Sequence, residues 1–219
     1  MKDPSVRSEA APRAAAPARS DLGLILKAAQ FAAHKHRAQR RKDADATPYV
    51  NHPIALAEVL HSDGGVRDAV TIAAALLHDT LEDTDTTYDE LRGAFGEEVA
   101  DVVVELTDVK FLAKRSRKRL QVARAGRATE RAKLVKLADK ISNLRDVLAS
   151  PPADWPLARR QQYFDWAREV VDRLRGVNPR LERAFDRLYR QRPDGRTAGP
   201  GLTSRRPPRR AAAASRSWP

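Results

Sequence analysis

The chain has 219 residues, no cysteine and a formal net charge of +12 at pH 7. The absence of cysteine excludes disulfides, thiolate metal sites and cysteine nucleophiles, so that any metal would have to be bound by His, Asp or Glu. No stretch is long and apolar enough to span a membrane, and the N-terminus lacks the apolar run of a secretion signal, which favours a cytoplasmic protein.

The composition of the two ends predicts disordered tails on either side of one folded domain. Residues 1–20 are rich in Ala and Pro, and residues 191–219 are mostly Arg, Pro, Ala and Ser, so neither segment offers much apolar surface to bury. The first segment carries a net charge of +2 and the last one +6, which leaves +4 for residues 21–190. We therefore expect a mildly cationic domain over 21–190 and a C-terminal tail that contacts nucleic acid weakly and non-specifically.

Helical spacing is the only sustained hydrophobic period in the chain, so the sequence predicts an all-α fold. A first helix is predicted from residue 20 onwards, and it ends in a basic cluster that includes Arg41 and Lys42. His34 and His36 on this helix point about 200° apart and cannot chelate one ion together. We interpret both as structural or surface residues.

A second predicted helix has a histidine at its start. The dipeptide Thr47-Pro48 disfavours helix and predicts a loop before it. Asn51 is then a candidate N-cap and His52 lies in the first turn. The fixed backbone of a helix start can aim such a ring into the core.

The segment 71–83, with the sequence TIAAALLHDTLED, predicts a buried helix that ends abruptly in the pair His78-Asp79. A buried carboxylate beside an imidazole must be paired, neutralised or bound to a cation. The pair is therefore a candidate metal site, although a solvated acidic turn at a helix end explains these residues as well when they are taken alone.

The next segment, 108–131, is strongly basic and has few apolar side chains. It predicts a mobile arm or a lightly packed helix, which contains Lys110, Lys114 and Lys118. Such an arm beside a metal pocket would suit a polyphosphate substrate, and a solvated charged face is the alternative.

The clearest amphipathic helix follows over residues 130–150. Asp139 and Asn143 lie one turn apart on its polar face and point into the same space. Two further helices are predicted over 155–175 and 178–190, with their aromatic residues in packing positions.

The candidate ligands occur in the order His52, His78-Asp79 and Asp139, and this H…HD…D pattern resembles the HD superfamily of metal-dependent phosphohydrolases. Two imidazoles and two carboxylates from three helices would suit Mn, Fe or Zn. Four flanking motifs resemble the hydrolase domain of RelA/SpoT homologues, in particular the stand-alone small alarmone hydrolases, over about residues 22–190. They are QRRK at 39–42, PYVNHP at 48–53, AALLHDTLEDT at 74–84 and KLVKLADKISNLRD at 133–146.

The resemblance implies a single HD-type helical domain that hydrolyses the 3′-pyrophosphate of ppGpp or pppGpp to GDP or GTP and pyrophosphate. It also implies one bound Mn²⁺, with Fe or Zn as alternatives. The ligands that it implies are His52, His78, Asp79 and Asp139. Glu82 and Asp83 would position and deprotonate the attacking water.

Substrate contacts are assigned to residues near this constellation. The candidates for the phosphates are Arg41, Lys42, Lys110, Lys114 and Lys118. Tyr49 would stack on guanine or lean on the ribose, and Asn143 would hydrogen-bond the sugar.

Two other functions are compatible with the same residues. A related phosphohydrolase acting on NADPH or another nucleotide would use the same metal site, because substrate choice lies in pocket shape. A basic nucleic-acid-binding protein would instead act through the Arg-rich tail, although no recognition-helix or RNA-binding signature is present.

Overall fold

The computed structural model describes residues 20–43 and 45–194, and this part of the chain is helical, with no β-strand among the described residues. The predicted all-α fold is therefore confirmed. A five-residue π-helix spans Val59–Asp63. The α-helices are α1 Asp21–Lys35, α2 Asn51–Glu58, α3 Ala69–Leu77, α4 Thr80–Asp83, α5 Tyr88–Phe95, α6 Glu97–Leu106, α7 Lys114–Ala125, α8 Glu130–Ala149, α9 Leu157–Asp172 and α10 Pro179–Tyr189.

Side-chain caps begin several of these helices; at the start of α1, the hydroxyl of Ser20 accepts from the backbone N–H of Gly23. The predicted cap at Asn51 is wrong, because α2 already includes that residue and has no side-chain cap. The physical reason is that the chain enters α2 from a turn. The backbone N–H groups of Asn51 and His52 donate to the carbonyls of Pro48 and Tyr49, so they need no side-chain acceptor.

Helix α3 is the centre of the molecule and packs against α1, α2, α6 and α8. Eight of its nine residues are buried. Ala73, Ala74 and Ala75 are fully buried, and their small side chains allow neighbouring helices to approach closely. Because α3 is buried on nearly all sides, the residues that directly follow its last turn are held at a fixed depth in the core.

Helix α8 forms the second part of the core, together with α2, α9 and α10. Leu137, Ile141 and Leu144 are completely buried along one stripe of the helix. The polar face of α8 is therefore turned towards the end of α3 and the start of α2, which brings three parts of the sequence together.

One basic region differs from its predicted form, and a second takes one of its two predicted forms. Helix α1 ends at Lys35, so Arg41 and Lys42 lie in the following loop and not in the last turns of the helix. The loop turns back on itself through a bridge between Arg40 and Pro48. Within the segment 108–131, residues 114–125 form α7, which is the helix of the two predicted forms. This helix packs against α9, and the Lys118 carbonyl accepts from the indole N–H of Trp166 at 3.2 Å.

The predicted tails fall mostly outside the described residues, which exclude 1–19 and 195–219. At the C-terminal edge, Arg192 forms two hydrogen bonds of 2.7 Å with the carboxylate of Asp165 in α9. Gln161 donates to the carbonyl of Pro193 at 2.8 Å. Contacts with the domain therefore extend to the first residues of the predicted tail. None of the helices in the described ranges is long and apolar enough to cross a membrane.

Candidate metal centre and active site

Three side chains from three helices converge in the interior. His52 lies in the first turn of α2, His78 directly follows α3, and Asp139 lies on the polar face of α8. One ligand atom of each lies within 4.8 Å of the other two. Both histidines are buried, with 5% and 7% of their surface exposed. Convergence of two imidazoles and a carboxylate at one buried point is typical of a divalent metal site.

The ring nitrogens of the histidines are oriented as metal ligands require. His78 Nδ1 lies 2.8 Å from the carbonyl oxygen of Ala75, which can only accept, so Nδ1 carries the proton. His78 Nε2 lies 2.8 Å from Oδ2 of Asp79, and this is the nitrogen that a metal ion would bind. His52 Nδ1 faces the hydroxyl of Ser142 at 3.5 Å, while its Nε2 lies 3.3 Å from Asp139 Oδ1. Hydrogen bonds of this kind select the tautomer in known metal sites.

Asp79, the fourth predicted ligand, lies beside the group of three. Its Oδ2 is 2.8 Å from His78 Nε2 and also accepts a hydrogen bond from the hydroxyl of Tyr49. Burial raises the pKa of Tyr49, and the charge of Asp79 raises it further, so the hydroxyl stays protonated and donates. The sequence assigns Tyr49 to the nucleoside, whereas the structure gives its hydroxyl to Asp79. Its ring also lines the larger cavity described below.

The electrostatics of the centre favour positive charge. Burial by itself would lower the pKa of His78, but the carboxylate of Asp79 raises it to about 9. Burial would raise the pKa of Asp79, yet the charge and the hydrogen bond of His78 hold it well below its usual range. Buried carboxylates that attract a proton to an imidazole this strongly will also attract a cation. The donor set therefore fits a divalent ion.

Asp139 is held in place by its neighbours on α8. Asn143 donates from its side-chain amide to Oδ1 at 2.6 Å, and Lys140 approaches Oδ2 at 2.7 Å. Asn143 also lines the larger cavity, so the contact predicted between this residue and a sugar stays a prediction. The structure adds that Asn143 orients a candidate ligand.

The two carboxylates on α4 are held by different partners. Glu82 accepts hydrogen bonds from the backbone N–H of Asp108 at 3.2 Å and from Arg117 Nη1 at 3.1 Å. Burial raises the pKa of Glu82 above its ordinary value. Asp83 accepts from the side-chain amide of Gln39 at 3.2 Å and pairs with Lys110 at 3.1 Å. Arg117 and Gln39 are contacts that sequence reasoning missed, since both come from segments far from α4 in the chain.

A cavity of about 520 Å³ opens beside this centre. Six of the predicted site residues line it, namely Arg41, Lys42, Tyr49, His52, Asp83 and Asn143. Asp146, Trp155 and Tyr163 also line it, although sequence reasoning did not select Asp146 and assigned the two aromatic residues to packing. The spacing of Asp146 from Asp139 and Asn143 along one face of α8 is a signal that would have found it.

A second, smaller cavity of about 80 Å³ adjoins the other side of the candidate ligands. His78, Asp79, Asp139 and Glu82 line it. The candidate ligands thus border both cavities, with Asp83 facing the larger one and Glu82 the smaller one.

The lysines of the basic segment all reach the surroundings of the larger cavity. Lys110 pairs with Asp83, as described above. Burial lowers the pKa of Lys114, and the charges of Arg159 and Lys42 lower it further. Lys118 Nζ lies 5.5 Å from the ring centroid of Tyr163, and burial together with the charge of Lys114 lowers its pKa to about 8.

Comparison with known proteins decides the family. The model of the HD domain matches residues 28–164. This chain belongs to the HD-domain family. HD domains are metal-dependent, which agrees with the convergence of His52, His78 and Asp139.

The relatives of this HD-domain chain are RelA/SpoT homologues, which confirms the resemblance noted in the motifs. A Xenopus tropicalis protein is 52% identical over 170 residues, covering 78% of this chain and 95% of that protein. A Homo sapiens protein is 53% identical over 173 residues, covering 79% and 97%. Both are named guanosine-3′,5′-bis(diphosphate) 3′-pyrophosphohydrolase MESH1.

A solved structure shares the fold of this HD-domain chain. It is a metazoan ortholog of SpoT, described as hydrolysing ppGpp and playing a role in starvation responses. The TM-score is 0.75 at 45% sequence identity, and the match covers 84% of this chain and 98% of the other.

Proposed function

We propose that this chain hydrolyses the 3′-pyrophosphate of ppGpp or pppGpp and releases GDP or GTP together with pyrophosphate. One observation carries the proposal: the chain is 53% identical to a named 3′-pyrophosphohydrolase across 97% of that protein's length. The convergence of His52, His78 and Asp139 beside a large cavity supports it, because such a centre is what this reaction requires.

We assign His52, His78, Asp79 and Asp139 as the residues that hold one divalent ion, for which Mn²⁺ is the first candidate and Fe or Zn the alternatives. When bound, the ion lowers the pKa of water and offsets negative charge on the phosphoryl oxygens. Tyr49 and Asn143 orient two of the carboxylates through the hydrogen bonds that they donate to Asp79 and Asp139.

The residues Glu82 and Asp83 are assigned to the attacking water. Either carboxylate can orient the water and accept its proton while the water oxygen bonds to the phosphorus next to the 3′-oxygen. The bond between that phosphorus and the 3′-oxygen breaks, and the 3′-oxygen leaves as a hydroxyl after taking a proton. Pyrophosphate thereby gains the oxygen of water, and the products are GDP and pyrophosphate when ppGpp is the substrate.

The walls of the larger cavity suit a nucleotide with many phosphates. Arg41 and Lys42 line it, and Lys110, Lys114 and Lys118 stand at or near its edge. We assign these five cations to the phosphates, whose charge they would offset. Trp155 and Tyr163 give the same cavity an aromatic side, which suits a base or a ribose.

The proposal is tested by pyrophosphate release from ppGpp. The purified chain is stripped of metal, supplied with Mn²⁺, Fe²⁺ or Zn²⁺ in turn, and assayed with ppGpp, NADPH and dNTPs. We expect metal-dependent release of pyrophosphate with GDP as co-product, and the loss of both in His78→Ala. The matched control is His61→Ala, because His61 is an exposed histidine of the π-helix outside the site.

The same assay can contradict the proposed substrate. If the metal-loaded chain frees phosphate from NADPH or acts on a dNTP and leaves ppGpp intact, the metal site stands and the alarmone assignment fails. The nucleic-acid alternative rests on residues 191–219, of which 195–219 lie outside the described part of the chain. It stays a prediction, and deletion of 195–219 tests it by comparing nucleic-acid affinity with hydrolysis.

A further inference from the structure

Buried His36 and half-buried Gln39, which follow α1, form a hydrogen-bonded pair that the assigned mechanism does not use. His36 has 2% of its surface exposed, which rules out the surface role that the sequence allowed. Its Nδ1 lies 2.6 Å from the side-chain oxygen Oε1 of Gln39. The backbone supports the same geometry, because the N–H of Gln39 donates to the carbonyl of His36 at 2.9 Å.

The other end of Gln39 reaches the candidate active site. Its side-chain nitrogen Nε2 donates to Oδ2 of Asp83 at 3.2 Å. A carboxylate only accepts, so the amide must turn its NH₂ group to Asp83 and its oxygen to His36. The imidazole of His36 must then carry a proton on Nδ1. His36 thus donates to Gln39, and Gln39 donates to Asp83.

The same two residues also support Tyr49. The backbone N–H of Tyr49 donates to the carbonyl of Gln39 at 3.1 Å, and the rings of His36 and Tyr49 lie 4.8 Å apart between centroids. Tyr49 in turn donates its hydroxyl to Asp79. The pair is therefore connected to a candidate ligand by one route and to a candidate proton acceptor by another.

We propose that His36 and Gln39 are positioning residues that hold the carboxylate of Asp83 towards the larger cavity. The inference rests on the role of Asp83 in the proposed function. Lys110 is the other partner of Asp83, but its side chain is 55% exposed, and an exposed ion pair holds a carboxylate only loosely. Gln39 is uncharged, so it orients Asp83 without adding positive charge beside a group that accepts a proton.

The first test measures the ring of His36 and does not depend on activity. The ¹⁵N shifts of the imidazole distinguish a ring protonated on Nδ1 from one protonated only on Nε2, and His36→Phe assigns the signal. In the metal-loaded full chain we expect a proton on Nδ1 of His36 and a shift of its resonance in Gln39→Ala. A ring protonated only on Nε2, or one insensitive to Gln39→Ala, overturns the proposed pair.

The second test measures whether Gln39 acts through Asp83. Gln39→Ala, Asp83→Asn and the double variant are compared on ppGpp in the metal-loaded full chain. We expect Gln39→Ala to lower kcat about tenfold, the effect of one lost hydrogen bond, with KM and metal content unchanged. In the Asp83→Asn background the same change should lower kcat no further, because its target carboxylate is gone.

A matched control is Gln161→Ala, which removes another half-buried amide donor, here to the carbonyl of Pro193, and should leave kcat at the wild-type value. His36→Phe keeps a ring against Tyr49 but removes the donor, so it should lower kcat in the same direction as Gln39→Ala. Equal losses from Gln39→Ala with and without Asp83→Asn would overturn the inference. Absence of ppGpp hydrolysis in the wild type would instead overturn the proposed function, and the ring protonation would still decide whether the pair exists.

Discussion

The candidate metal centre and the cationic wall of the larger cavity are built in opposite ways. The centre is formed by short side chains on helices whose backbones are buried. Further hydrogen bonds fix these side chains, as the bond to the Ala75 carbonyl fixes His78. The wall is formed by long side chains from the loop after α1 (Arg41 and Lys42) and from the segment around α7 (Lys110, Lys114 and Lys118). In the described structure two of these cations already pair with carboxylates, Arg41 with Asp146 and Lys110 with Asp83.

This difference predicts different responses to substitution. Side chains of the centre are preorganised, so replacing one should remove the metal or the chemistry almost completely. If the cations of the wall bind phosphate as we propose, Arg41 and Lys110 have to leave Asp146 and Asp83 when substrate binds. Replacing one of them should change KM moderately and leave the metal in place, because several cations share the task.

Asp139→Asn should have the largest effect. The change removes the negative charge of a candidate ligand from the centre, and we expect bound metal and activity to disappear together. Turnover should fall about a thousandfold or more, because several kcal/mol of charge stabilisation leave with the ion. Metal content and pyrophosphate release are measured on the same sample.

The control for this variant is Asp172→Asn, at the end of α9, where the carboxylate pairs with Arg175 away from the site. It should keep both metal and activity. Full metal occupancy in Asp139→Asn would remove Asp139 from the ligand set and weaken the distinction between centre and wall.

Glu82→Gln should have the second largest effect on activity. We expect the metal to be retained and kcat to fall by about two orders of magnitude, as for a lost proton-transfer group. The amide keeps the size of the side chain, so a loss of turnover cannot be attributed to a cavity. Glu105→Gln is the matched control, since Glu105 accepts from Thr129 at the start of α8 and takes no part in the site. Near-normal turnover in Glu82→Gln would move the proton-transfer role to Asp83.

The sequence predicts the centre much better than it predicts the wall. His52, His78 and Asp139 could be selected because each occupies a defined place on a helix, and helix ends and faces follow from local periodicity. Arg117 and Gln39 could not be selected, because their contacts with Glu82 and Asp83 depend on how α7 and the loop after α1 pack against α4. The wrong cap at Asn51 has the same origin, since the turn before α2 is stabilised by the returning chain.

Lys118 should have a smaller effect, on the KM for ppGpp, and this effect should depend on pH. Its pKa is lowered to about 8, so the ammonium is charged below that pH and loses its charge as the pH rises through it. We expect the KM for ppGpp to rise about fivefold or less between about pH 7 and 9 as this cation is lost. Lys118→Arg keeps the charge over this range and should flatten the profile. A KM that rises equally in both proteins would exclude Lys118 from the phosphate contacts.

Truncation of the ends should have the smallest effect and tests where the domain stops. Deleting 1–19 and 195–219 should leave hydrolysis and the free energy of unfolding nearly unchanged.

Extending the C-terminal deletion to residue 191 removes the paired hydrogen bonds of Arg192 with Asp165, which lie near the surface and contribute about 1 kcal/mol or less. Urea unfolding measures the difference between the two deletions, and kcat should be the same in both, because these contacts anchor α9 on the side away from the centre. Loss of metal from the variant that lacks only 1–19 and 195–219 would show that the C-terminal segment supports the centre. The edge of the domain would then lie beyond residue 194.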